Sequence, residues 1–435
     1  MKYDVAVIGS GIGGLCAASL LAHAGYKTAL LEKLDILGGR YTTIDYKGYK
    51  ITSAAIYLSF PDGPIVRTLR DVGAEAEVEL RAPKPFLKYR MGGVDYDIPE
   101  RGGVMRLVSL VSRDRWENER VATAFRTALR EQEPSDEISF AQWLSQYTDN
   151  LLIHKIWEVY GEINTCLWLR EFPAGAFIRT LKAFRAFGSY YQWPKGHLKS
   201  VVDALARRVE RNGEILTRTR VKQIKVNNGV AEGVLAEKEG KEVDIDARVV
   251  INDVGPKYAV EMAGKENFTK EYLSEVKKSD RPVNGLNIMF ECDKPVLDFP
   301  GVFNIVDTDR PCAIMDPSLT WPDYAPEGKH CLWLWQPVPI LFKDAQSELE
   351  KGMNNCRENI PDFDKHCRVL ISQFFCGEWP TVRSCQGYHL DQKTPIENLY
   401  NVGDGVSPDD ILLAEGAAAS GRVVAEEIQR RIKIT

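Results

Sequence analysis

Residues 9–14 read Gly-Ser-Gly-Ile-Gly-Gly, directly after the apolar run Lys2–Ile8 and directly before the helix-forming stretch Leu15–Ala24. No other stretch restricts the fold as tightly. Gly9, Gly11 and Gly14 make G-x-G-x-x-G, and the next apolar run, Thr28–Leu31, ends in Glu32. Strand, glycine turn, helix, strand and acid in that order form the opening unit of a parallel sheet that binds a dinucleotide. Gly9 lets the chain turn off the strand, Gly11 lets a pyrophosphate approach the backbone, and Gly14 lets the helix lie close to the sheet. The helix start, with Ile12 and Gly13, offers free N–H groups and a partial positive charge to phosphate. Glu32 would accept hydrogen bonds from a ribose 2′-hydroxyl and repel a 2′-phosphate, which favours FAD or NAD over NADP. An ordinary βαβ turn is the alternative at this point.

With 435 residues the chain is long enough for two domains. A net charge of -5 gives no basic footprint, so nucleic acid is not an expected partner. No apolar run reaches the roughly 18 residues of a membrane span, and glycines 9–14 break the only stretch resembling a signal peptide, so a cytoplasmic protein is expected. The nine cysteines include no C-x-x-C pair, so no metal is expected and free, mostly buried thiols are.

Beyond Glu32 come Lys33 and then Gly38-Gly39-Arg40. The two glycines let a loop fold over a pyrophosphate, and the guanidinium of Arg40 can neutralise it. Glu32, Lys33, Gly39 and Arg40 in this order resemble the flavoprotein group of the amine oxidases and phytoene desaturases. Two later segments carry the same resemblance. One runs from Gly196 through a helix at Leu198–Val209 to Glu214–Leu216, Val221–Val226, a hairpin and Arg248–Asn252. The other is Thr394–Gly405 with a closing helix at Gly416–Arg430. The family's pattern implies that Val221 binds adenine through its backbone. Gly403 and Asp404 would meet the ribityl chain. The helix start at Gly416 and Ala417 would support negative charge on the flavin ring. One departure stands out: Thr52 and Ala54 replace the Asp and Gly common in the family after Tyr49.

The stretches between these segments have a different texture. Tyr41–Phe60 alternates loosely, Pro64–Val72 suits a helix with proline at its start, and residues 86–90 and 94–98 suit a hairpin. Helical patterns dominate from Arg101 to Phe187, with Ser139 as an N-cap. Strands are expected at Val283–Phe290, at Cys331–Trp335 and at His366–Gln373, and a polar-faced helix at Phe342–Ile360. Tyr190, Tyr191 and Trp193 sit in a loop and are candidates to line a substrate pocket; Trp333 and Trp335 share a strand face that points to substrate or core.

The expected fold is α/β, a Rossmann-like FAD-binding domain (residues 1–60, 194–257 and 394–435) with a mixed α+β substrate domain formed by two insertions (61–193 and 258–393). The nearest resemblance is to the phytoene desaturase and carotenoid isomerase branch of the flavin amine oxidase superfamily. It implies noncovalent FAD and hydride transfer between flavin N5 and a C–C or C=C bond of a lipophilic or cyclic small molecule, with an electron acceptor that the sequence does not name. A lipid substrate would bring peripheral membrane contact. Glu415 and Tyr57 are the candidate proton partners; capping of the closing helix and strand packing are their plainer roles. Competing readings are a flavin amine oxidase, a redox-neutral FAD-dependent isomerase and a binding protein like the Rab GDP-dissociation inhibitors. The sequence lacks paired aromatics near Gly403–Gly416 for an amine cage.

Overall fold

The structure, a computed structural model, describes residues 2–57, 60–98, 103–188, 190–308, 310–411 and 413–433. The opening strand Lys2–Ile8 pairs in parallel with Thr28–Leu31 on one side and Lys241–Asn252 on the other. Tyr3 to Ile8 are all buried, as a central parallel strand covered on both faces requires. Thr28–Leu31 pairs in turn with Gly213–Leu216. The long strand Lys241–Asn252 is shared along its outer edge. Its first half pairs with Val230–Lys238, which pairs with Thr219–Asn227, and its last three residues pair in parallel with Leu399–Asn401. Ile8, Asn252 and Asn401 therefore lie level at one edge of the sheet. Three segments far apart in sequence end side by side there, at the carboxyl ends of parallel strands, where α/β sheets place their ligands.

The helix Ile12–His23 lies under the closing helix Leu413–Arg431 and beside Leu198–Val209. It begins at Ile12 rather than Leu15, because Gly13 and Gly14, poor helix formers by propensity, are carried into its first turn by the packing of the unit. The closing helix likewise begins at Leu413 rather than Gly416. The helix Pro64–Asp71 shares this core: Ile65 and Leu69 pack with Leu15 and Val201.

A second, seven-stranded sheet runs in the order Cys367–Phe375, Asn284–Cys292, His330–Val338, Cys312–Met315, Val302–Ile305, Leu87–Met91, Val94–Asp97. Its neighbours are antiparallel except Val302–Ile305 with Leu87–Met91. Helices Arg115–Arg130, Leu151–Thr165 and Ala174–Phe187 cover one face, and Phe125, Trp157 and Phe177 share a core with Trp333. Ser139 caps Phe140–Leu144 in a full capping box with Gln142. The stretch after Tyr41 forms two short strands, Thr43–Tyr46 and Tyr49–Thr52. Residues 58 and 59 of that stretch, and Arg101, lie outside the described residues. The polar helix spans Ala345–Asn359, capped by Asp344. Among the described residues no helix is long and apolar enough to cross a membrane.

Candidate functional site

The level strand ends open into a cavity of about 680 Å³. The turn at its edge is held by Glu32, which is buried. Its Oε2 accepts from the Ser10 N–H and hydroxyl at 2.9 and 2.6 Å, and its Oε1 from the Leu34 N–H at 2.9 Å. Gly9 takes φ +94°, which a side chain would strain. Gly38 donates its N–H to the Ser10 carbonyl at 2.9 Å, so the Gly-Gly-Arg loop folds back over the glycine turn.

That fold-back brings Arg40 to Asp404. Their side chains meet at 2.7 Å, and Arg40 also donates to the carbonyls of Pro380 and Thr381, each at 3.1 Å. The second Asp404 oxygen accepts from the Arg383 N–H at 3.0 Å. Burial opposes the charge on both partners, but each offsets it for the other: Arg40 is held above its ordinary value and Asp404 below the usual carboxylate range. The two residues assigned on sequence to different parts of one cofactor thus hold each other.

The residues expected at the cofactor divide by position. Gly9, Gly11, Ile12, Gly13, Glu32, Lys33, Gly39, Arg40, Val221, Gly403, Asp404 and Ala417 all line the cavity. Gly14 and Gly416 lie behind it, filling close contacts: a Cβ on Gly14 would sit 2.4 Å from the Gly9 carbonyl, and one on Gly416 2.2 Å from that of Ile411.

Of the charged residues on the cavity wall that the sequence reading did not single out, Asp253 and Arg383 lie nearest the Arg40–Asp404 pair. Asp253 follows Asn252 at the end of its strand and lies against the glycine turn. Its Oδ2 is buried and accepts no hydrogen bond among the described residues. Burial pushes its carboxyl up to about 8, opposed by the Gly14 N–H and helped by Asp404, with Arg40 and Arg383 opposing. Arg383 makes no ion pair among the described residues and stands 5.3 Å from the Tyr258 ring. Burial lowers its value, and the charge of Arg40 adds to that. The signal for Asp253 was present: it is the first residue past a strand that neighbours the opening one. For Arg383 there was none, because its loop reaches the cavity only through the second sheet.

The other end of the cavity is apolar, lined by Ile56, Tyr57, Ile163, Cys166, Met315 and Trp335. Tyr57 packs on Tyr191 with centroids 4.2 Å apart and the rings tilted by 34°, and meets Trp193 edge-on at 5.6 Å. Tyr191 hydrogen-bonds Asn164. Tyr191 and Trp193 are therefore a backing layer, and Tyr190 packs against the same core. Trp333 is fully buried, edge-on to Trp193, while Trp335, two residues along the same face, reaches the cavity and donates to the Ile163 carbonyl at 3.2 Å. His197 holds the residue just before Tyr57. Its Nε2–H donates to the Ile56 carbonyl at 2.9 Å, which leaves Nδ1 to accept from the Thr43 hydroxyl at 2.8 Å. Burial pushes its value down to about 4, partly offset by the Ile56 bond.

Glu415 departs from its expected place. It does not line the cavity; Leu413, Ala414 and Ala417 do so from that helix. Fully buried, it accepts the Ile65 N–H at 2.9 Å and so caps the helix Pro64–Asp71, not its own. Burial pushes its carboxyl up to about 8, with backbone N–H groups opposing. The sequence expectation failed because helix phase, not closeness to Gly416, decides which way position 415 points.

A family model described as flavin containing amine oxidoreductase matches residues 12–429 of this chain. An uncharacterized protein of Methanocaldococcus jannaschii is 25% identical over 418 residues, 95% of this chain and 96% of that one. A phytoene desaturase of Cercospora nicotianae is 25% identical over 389 residues, which span 78% of this chain and 61% of that protein. The crystal structure of an oxidoreductase from Methanosarcina mazei, 27% identical, superposes on 98% of this chain and 100% of its own with a TM-score of 0.87.

Proposed function

We propose, for a chain that belongs to the flavin containing amine oxidoreductase family, an FAD-dependent oxidoreductase acting on a C–C or C=C bond of an apolar or cyclic small molecule. What carries the choice of substrate is the lining of the far end of the cavity. Ile56, Tyr57, Ile163, Cys166, Met315 and Trp335 stand there, without a carboxylate among them. An ammonium substrate entering that end would lose its hydration with no opposite charge to meet it. An apolar ring or polyene loses nothing comparable and gains burial.

The residues present suit noncovalent FAD. The glycine turn and the first turn of the helix Ile12–His23 offer N–H groups, and Arg383, which makes no ion pair among the described residues, offers its guanidinium for the diphosphate. Glu32 and the backbone of Val221 stand at the adenosine side; Gly403, Asp404 and Ala417 stand toward the isoalloxazine side. When bound, the flavin supplies a hydride acceptor and donor at N5. Cys166 is the thiol at the apolar end, and burial keeps it protonated, so it is no nucleophile toward the flavin. Tyr57 holds a proton at its phenol oxygen, burial having raised its value. Its ring is fixed between Tyr191 and Trp193, and His197 fixes the Ile56 carbonyl just before it in the chain.

Anaerobic mixing of the FAD-loaded protein with polyenes, cyclic enones and amines tests this reading. Loss of the flavin bands with a polyene, or their return when reduced protein meets a polyene or an enone, is expected. Bleaching by amines alone, with peroxide released in air, replaces this reading with an amine oxidase; a purified chain that takes up no FAD removes the enzyme altogether.

A further inference from the structure

The Asp253 carboxyl lies directly on the glycine turn. A Cβ on Gly11 would sit 2.4 Å from its Oδ2, one on Gly14 2.9 Å from the same atom, and one on Gly13 2.8 Å from its Oδ1. A carboxyl group therefore fills the face of the turn assigned above to the diphosphate. The charged groups around it come from four elements. Arg40 and Asp404 face it as a closed pair, Arg383 faces it with no ion pair among the described residues, and the start of the helix Ile12–His23 adds its partial positive charge. One such arginine is too little positive charge for both a carboxylate and a diphosphate at such range.

We infer that Asp253 makes cofactor binding proton-linked: the flavin dinucleotide binds with Asp253 protonated, donating from its carboxyl to a phosphate oxygen, and is repelled when Asp253 is ionised. This rests on the FAD site proposed above. The burial that raises the Asp253 carboxyl to about 8 places the change within reach of experiment. The sign follows. Below that value the acid is already neutral, and binding takes up no proton. Above it, binding must take one from solvent, so affinity falls as pH rises.

The test is equilibrium dialysis of the full chain against FAD at pH 6.5 and pH 9. The dissociation constant is expected to rise about tenfold between them, and in Asp253→Asn, which keeps the shape and cannot ionise, to stay within about twofold. Calorimetry of the unmutated chain at pH 8.5 in Tris and in bicine needs no variant, and is expected to show uptake of more than about half a proton per FAD bound. A pH-independent dissociation constant, a slope that survives in Asp253→Asn, or zero proton uptake overturns the inference while leaving the FAD site intact. Failure to bind FAD at either pH overturns the site itself.

Discussion

Arg40 and Asp404, 364 positions apart in the chain, meet at 2.7 Å across the cavity wall. The contact closes the loop after the second strand onto the loop after the last one. It joins the two ends of the chain at the cavity, beside the strand pairing of Lys241–Asn252 with Leu399–Asn401 and the core shared by the opening and closing helices. Among the described residues neither makes a second side-chain ion pair.

Removing one member of this pair strands the other. Because the side chains are 20% and 11% exposed, Arg40→Met is expected to cost about 2 kcal/mol, below the range for fully buried pairs. Urea midpoints at unchanged slope measure it. The double variant with Asp404→Asn is expected to recover part of the loss, since it leaves no lone charge.

Tyr57→Phe keeps the ring on Tyr191 and removes only the hydroxyl. Stopped-flow traces are expected to show electron exchange between substrate and flavin slowed about 100-fold, the size of one positioned acid or base, with FAD affinity unchanged. Equal rates would leave Tyr57 as cavity wall and nothing more.

Glu415→Gln is expected to leave the same traces unaltered, because position 415 does not touch the cavity. Its effect belongs to stability. The folded value, about 8, lies above the ordinary 4.5, so the stabilisation is whole below 4.5 and is lost as pH rises through 8. Gln does not titrate. Relative to the unmutated chain the variant gains on the order of 4 kcal/mol from pH 4.5 to pH 9, read from thermal melts at each pH.

His197 works in the opposite direction. Its folded value, about 4, lies below the ordinary 6.5, so the stabilisation is present above 6.5 and is lost as pH falls toward 4. The loss should reach about 3 kcal/mol. His197→Asn, compared with the unmutated chain at pH 7 and pH 4.5, is expected to show a smaller fall in unfolding temperature on acidification.

Local chemistry was legible where the chain acts over short range. The glycine turn, Glu32, the cap at Ser139 and the strands around Val221 are written in spacing, because turns, caps and alternation involve neighbours in sequence. Trp333 and Trp335 show where that legibility stops. Alternation puts both on one face, yet one is core and the other is cavity wall. Only the elements packed opposite each decide which.

The sequence by itself determined the flavoprotein fold and the set of strand ends that meet, since hydrophobic pattern and glycine placement act through the backbone. Tertiary structure alone decided the partners of the charged groups. It paired Arg40 with Asp404, turned Glu415 away to cap another helix, left Arg383 without an ion pair among the described residues and laid Asp253 on the glycine turn. Charge interactions depend on distance and burial, and neither exists until segments hundreds of residues apart have packed together.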